Sequence, residues 1–170
     1  MSFLKKIRRL FSIYSLTEDN WKKHANPWCV LTRYASLPLI MLAFWSRIWI
    51  DWWAVIPILI ALGWTVLNPW LFKDAVSTNN WASKSVIGEL ILQNTDRINI
   101  PDQHKNFARI LKNIFMLGLM LSIIAISILD IWMAVLSVLV VYASRSWFMD
   151  RMVWLYEDMK NIPEYEKMVY

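Results

Sequence analysis

The chain has 170 residues, of which 58% are hydrophobic and only 18% charged, with 12 Trp and a net charge of +5. An ordinary soluble domain is nearer half apolar even with Gly counted, so a membrane class follows. The single cysteine, Cys29, excludes an internal disulfide, a CxxC redox pair and a cysteine-built zinc site.

Placement of the charges says more than their sum. Seven basic residues lie between Lys5 and Arg33, six between Lys73 and Lys112 and four between Arg145 and Lys167, leaving only Arg47 elsewhere. Under the positive-inside rule the termini and the central segment are cytoplasmic and the two tight corners face outward. The basic excess then reflects topology and anionic lipid, and no nucleic-acid partner is expected.

At the N-terminus Phe3, Leu4, Ile7, Leu10, Phe11 and Tyr14 recur at helical spacing between Lys5, Lys6, Arg8 and Arg9. This predicts an amphipathic helix on the inner membrane surface and not a cleaved leader. Ser15 to Glu18 has capping-box spacing for a short helix carrying Trp21 toward His24, which Asn26-Pro27 should end. The run Tyr34 to Phe72 is two apolar stretches joined at Ser46 to Asp51. The second stretch, from Trp52, is uncharged and long enough to cross a bilayer core of roughly 30 Å. Arg33 sits about one turn inside the first span, where it can snorkel. Pro38 should kink that span. Arg47 and Asp51 are spaced to pair at the corner, with Asp51 suited to cap the next helix.

The central segment is too long for a bare connector. Ser77 to Asn80 is a cap for a helix whose apolar stripe is Val86, Ile87, Leu90 and Ile91, expected to lie along the interface. Ile100-Pro101-Asp102 starts a helix expected to run unbroken into a third span, where Gly118 and Ser122 form a small-residue face for close packing. Asp130 marks the second corner. The fourth span begins at Ile131, is apolar to about Ala143, and should continue into the cytoplasm as far as Lys160.

There are traces of an internal repeat. His24-Ala25-Asn26 resembles His104-Lys105-Asn106, Asp51-Trp52 resembles Asp130-Ile131, and Trp70-Leu71-Phe72 resembles Trp147-Phe148, at offsets of 80, 79 and 77 residues. If the repeat is real, the two hairpins are parallel copies and the two histidines are equivalent.

The expected fold is all-α: an integral-membrane four-helix bundle of two hairpins with amphipathic cytoplasmic helices. It forms one domain over 1–170, divided into a cytoplasmic segment at 1–27, a first hairpin at 28–72, an interfacial segment at 73–112, a second hairpin at 113–149 and a cytoplasmic tail at 150–170.

No acid, base or histidine falls in the middle of a span, which argues against an ion pump or coupled transporter. Polar groups gather at the inner face: Asn26, Arg33, Asn68, Asn80, Asp150 and Glu157, with His24, His104, Glu89 and Arg151 as candidates for chemistry. The two histidines with Glu89 could hold zinc or non-haem iron, but no HxxxH or ExxH spacing supports this, and ordinary interfacial histidines are the preferred reading. Arg151 beside Asp150 could clamp a phosphate or carboxylate. An ion-pair network pinning the end of the fourth span to Arg33 or Lys84 is the simpler account. Most Trp residues fall near span ends, as interfacial belts do.

Trp21 to Pro27, Trp45-Ser46-Arg47, Asn68 to Phe72, Asn80 to Lys84 with Gly88-Glu89, and Asp150 to Tyr156 together resemble an uncharacterised family of small prokaryotic membrane proteins, known as a domain of unknown function, over about residues 17 to 160. The family pattern has two adjacent histidines where this chain has His104-Lys105, which counts against a metal. The resemblance implies no activity. The expected function is therefore that of a multi-pass inner-membrane subunit or binding module, associating with lipid headgroups, another membrane protein or itself and needing no cofactor. The alternative is a small membrane enzyme acting on a lipid or other amphiphile through His24, His104, Glu89 and Arg151.

Overall fold

The computed structural model describes residue 16, residues 20–94 and 98–166, and residue 168. The N-terminal amphipathic helix expected from Phe3 to Tyr14 and the capping box at Ser15 to Glu18 lie outside the described residues, Leu16 excepted. Within them every element is helical: α1 (Trp21–His24), α2 (Pro27–Trp45), α3 (Arg47–Ile50), a 3-10 turn (Asp51–Ala54), α4 (Val55–Leu71), α5 (Trp81–Gln93), α6 (Asp102–Ile128), α7 (Ile131–Met159) and α8 (Pro163–Glu166).

Three stretches are long and apolar enough to cross a membrane: Pro27–Leu71, Asp102–Ile128 and Ile131–Met159. The first is not a single rod. Cys29 Sγ donates to Asn68 Oδ1 at 3.3 Å, and Asn68 Nδ2 donates to Thr32 Oγ1 at 2.8 Å. In a continuous helix, residues 39 positions apart would be separated by about 58 Å. The chain therefore reverses at α3 and the 3-10 turn, laying α4 antiparallel to α2. These limbs of 19 and 17 residues are about 28 and 26 Å long.

Arg47 does not pair with Asp51. Its guanidinium donates to the carbonyls of Ile126 at 2.6 Å and Ser127 at 3.2 Å, at the end of α6. These carbonyls lack partners further along the helix, so an arginine there satisfies them and ties the first corner to the second. Asp51 takes φ 47° at the end of α3 and does not cap the next helix, whose first flanking residue is Ala54, whereas Asp130 caps α7 by accepting from Met133 N at 2.7 Å.

The second hairpin follows the expected boundaries closely. Pro101 precedes α6, which runs unbroken to Ile128, and α7 continues to Met159. Gly118 lets the two helices approach closely: a Cβ there would lie 2.8 Å from Val141 Cγ2. Ser122 and Ala125 continue the small face and are buried. Dispersion contacts between helices need such short separations when the surrounding solvent is lipid.

The central helix departs from expectation. Asn80 caps α5 as read, its side chain accepting from Ser83 N at 2.9 Å. Yet α5 buries Ser83, Ser85 and Gly88 as well as Val86, Ile87, Leu90 and Ile91. It is a core helix against α7 and not one that offers a single stripe to an interface. At Gly88 a Cβ would sit 1.9 Å from the carbonyl oxygen of Met152, so the backbones touch. The main apolar cluster, including Trp21, Ile87, Ile91, Leu111, Met152 and Leu155, surrounds this contact. A smaller cluster of Met41, Ala125 and Ala134 lies toward the corners.

Candidate functional site

A cavity of about 610 Å³ opens between α2, α5, α6 and α7. One end is polar, lined by His24, Arg33, Glu89 and Arg145; the rest includes Leu37, Ile40, Leu119 and Val141. From Arg33 to Ile40 is seven residues of helix, so the lining passes from charged to apolar over about 10 Å.

Each polar group is positioned by its helix. His24 ends α1, where Asn26-Pro27 breaks the chain: Asn26 caps α2 by accepting from Trp28 N at 2.9 Å and donates to Lys73 O at 3.0 Å. That cap places Arg33 two turns into α2, where its guanidinium donates to His24 Nδ1. An imidazole whose Nδ1 accepts from a cation carries no charge. Burial, reinforced by the positive charge of Arg33, pushes the His24 pKa from 6.5 down to about 4. Across the cavity Glu89, on α5, and Arg145, on α7, form an ion pair at 3.3 Å. The Arg145 guanidinium also lies over the Phe148 ring, 5.3 Å from its centroid.

Between these ends the Tyr34 and Tyr142 rings meet edge to face at 5.3 Å, and the Tyr142 hydroxyl donates to the Tyr34 carbonyl. Tyr34 Oη is 3.1 Å from Ser146 Oγ and 3.3 Å from Met149 Sδ. Aromatic contacts of this kind fix α2 against α7 and hold the cavity's width. The Ser36 hydroxyl and Arg33 Nε are buried without hydrogen-bond partners among the described residues. Both residues line the cavity.

The remaining candidates lie elsewhere. His104 is buried on α6 and its Nε2 is 2.9 Å from Asp158 Oδ2. Arg151 is held between the Phe107 and Trp154 rings, at 4.9 and 4.4 Å. Asp150 accepts from Trp81 Nε1 at 3.4 Å, and Asn80 is occupied as a cap. Glu157 bridges Lys84 at 2.9 Å and Lys160 at 2.8 Å, which is the network reading of this region with Lys84 and not Arg33 as the partner. Asn68 joins the two limbs of the first hairpin.

Of the residues named from sequence, His24, Arg33 and Glu89 therefore share one cavity, while His104 and Arg151 stand outside its lining. Among the described residues no group of three or more His, Cys, Asp or Glu side chains could hold a metal ion. Arg145, Ser36, Tyr34 and Tyr142 were not anticipated. Arg145 had a readable signal: it is the one basic residue between Lys112 and Arg151, just past the end of a long apolar run.

Neither a curated protein nor a solved structure matches the chain. A family model does match residues 7–167, almost the full length and beyond the motifs at residues 17 to 160, and the chain belongs to that family, DUF6653, a family of unknown function.

Proposed function

We propose that this protein is a four-span, multi-pass protein of the prokaryotic inner membrane, with both termini in the cytoplasm, and that it serves as a binding module rather than an enzyme. Its two hairpins share one orientation, their corners outward. The four exposed Trp at those corners, Trp49, Trp52, Trp53 and Trp132, suit an outer aromatic belt. What it binds is the polar end of an amphiphile from the surrounding lipid.

One observation carries this reading: a single cavity is charged at the end where basic residues collect and apolar along the helices that would stand in lipid. Pockets with a few convergent polar groups and an otherwise apolar lining are the usual form of small-molecule sites.

The test is to purify the full chain from membranes in mild detergent, extract it and quantify bound amphiphiles by mass spectrometry. About one amphiphile per chain is expected, and Leu119→Trp, which fills the apolar end, should remove it. An unrelated membrane protein of similar size carrying the same lipids in the same amount would overturn the reading.

A further inference from the structure

We infer that the cavity takes a single-chain amphiphile bearing one negative charge, with its headgroup between Arg33 and Arg145 and its chain along Leu37, Ile40, Leu119 and Val141. This rests on the binding-module reading and names the ligand class.

Charge comes first. Arg33 and Arg145 bring two positive charges to the polar end, and Glu89 brings one negative charge. His24 stays neutral above about pH 4. The balance is one unspent positive charge. It sits on Arg33, which has no carboxylate partner among the described residues and bonds instead to a neutral imidazole. Arg33 is half-buried, with its Nε fully covered and unpartnered among the described residues, and withdrawing even part of a cation from water is costly unless an anion joins it. A single anion would balance the cavity, whereas a dianion would overcharge it.

A second observation points to the same place. Most span serines and threonines return their hydroxyls to a carbonyl of the preceding turn: Thr32 to Trp28, Thr65 to Ala61, Ser122 to Gly118 and Ser144 to Val140. Ser36 does not. Its hydroxyl is buried and has no partner among the described residues, three residues along α2 from Arg33 and on the cavity wall. It is set to meet a headgroup oxygen just above the guanidinium.

Size decides the number of chains. At about 30 Å³ per small group, the cavity holds roughly twenty non-hydrogen atoms. That is one acyl chain with a small headgroup, well short of a two-chain phospholipid. The shared chemistry is a monoanion on one chain: a free fatty acid of about eighteen non-hydrogen atoms is held whole, whereas a lysophospholipid, with about 32, keeps the outer part of its headgroup beyond the cavity mouth.

The experiment is competition at equilibrium on the full chain in non-ionic detergent at pH 7, with tritiated palmitate as the probe. Palmitoyl-lysophosphatidylglycerol, hexadecyl phosphate, hexadecanol and inorganic phosphate serve as competitors. Palmitate should bind saturably at one per chain. Displacement by the lysophospholipid at equal or lower concentration would identify a phospholipid source, and weaker displacement a free acid; both uphold the proposal. Hexadecanol and inorganic phosphate should compete at least tenfold more weakly. Arg33→Gln should weaken palmitate roughly tenfold, the scale of one charge-assisted hydrogen bond, while Arg33→Lys should restore most of it. Glu89→Gln should strengthen palmitate binding several-fold and let hexadecyl phosphate compete better than palmitate itself.

Equal displacement by hexadecanol and palmitate would overturn the charge assignment while leaving the binding-module reading intact. This comparison uses the unaltered protein, so no folding defect can blur it. Failure of every amphiphile to bind, whatever its charge, would sink both.

Discussion

His24 carries a testable consequence of its burial. In the fold its imidazole is held neutral down to about pH 4 by burial and by Arg33, while in the unfolded chain it titrates at its ordinary 6.5. The unfolded state therefore binds the proton first as pH falls. Stability is fully present above pH 6.5, declines between 6.5 and 4, and levels off below, by on the order of 3 kcal/mol from this group. Glu89, Arg33 and Arg145 line the same cavity, but Glu89 is already committed to Arg145. Melting temperatures in detergent between pH 7 and pH 4 should fall for the native chain and fall less for His24→Gln. An equal slope for both would place the pH sensitivity elsewhere. The residue itself was legible in the sequence, since a histidine before Asn26-Pro27 at a span entrance is conspicuous. Its partner was not. Arg33 is nine positions away across a helix break, and only the angle between α1 and α2 brings the two together.

The helices differ in how much their own residues reveal. The ends of α6 and α7 were readable because Pro101, Asp130 and a sustained apolar run act locally. So was the Asn80 cap. The burial of α5 was not, since Ser83, Ser85 and Gly88 look like a polar edge until α7 is laid against them. Gly88→Ala tests that contact. With a Cβ directed 1.9 Å from the Met152 carbonyl oxygen, α5 must move, at a cost of about 3 kcal/mol, seen as a large drop in melting temperature. Gly63→Ala is the control: nothing lies within 4 Å of a Cβ there, so stability should hold or rise slightly. At the other end of α6, Leu129 takes φ 58° and ψ 37°, a left-handed conformation that side chains with a Cβ resist. Leu129→Gly should relieve about 1 kcal/mol of that strain and raise the melting temperature by a few degrees.

For the whole molecule, the distribution of basic residues makes a prediction about sidedness. Val76, between the hairpins, is 95% exposed, and Trp52, at the first corner, is 84% exposed. Cys29 is fully buried and should stay silent toward a membrane-impermeant maleimide. In spheroplasts, Trp52→Cys should be labelled directly and Val76→Cys only after permeabilisation; the reverse pattern would invert the topology. By itself the sequence determined that the protein is helical, that it has runs apolar enough for a bilayer and where its charges fall. Run length and charge asymmetry add up residue by residue, and no partner is needed to read them. Only the tertiary structure decided that α5 is core, that Arg47 ties the two corners together and that Glu89 faces Arg145, 56 positions away. It also decided that three of the polar candidates enclose one cavity while His104 and Arg151 do not. These are properties of rotation and tilt between helices. Close packing at Gly88 and Gly118 sets both, and hydropathy does not register either.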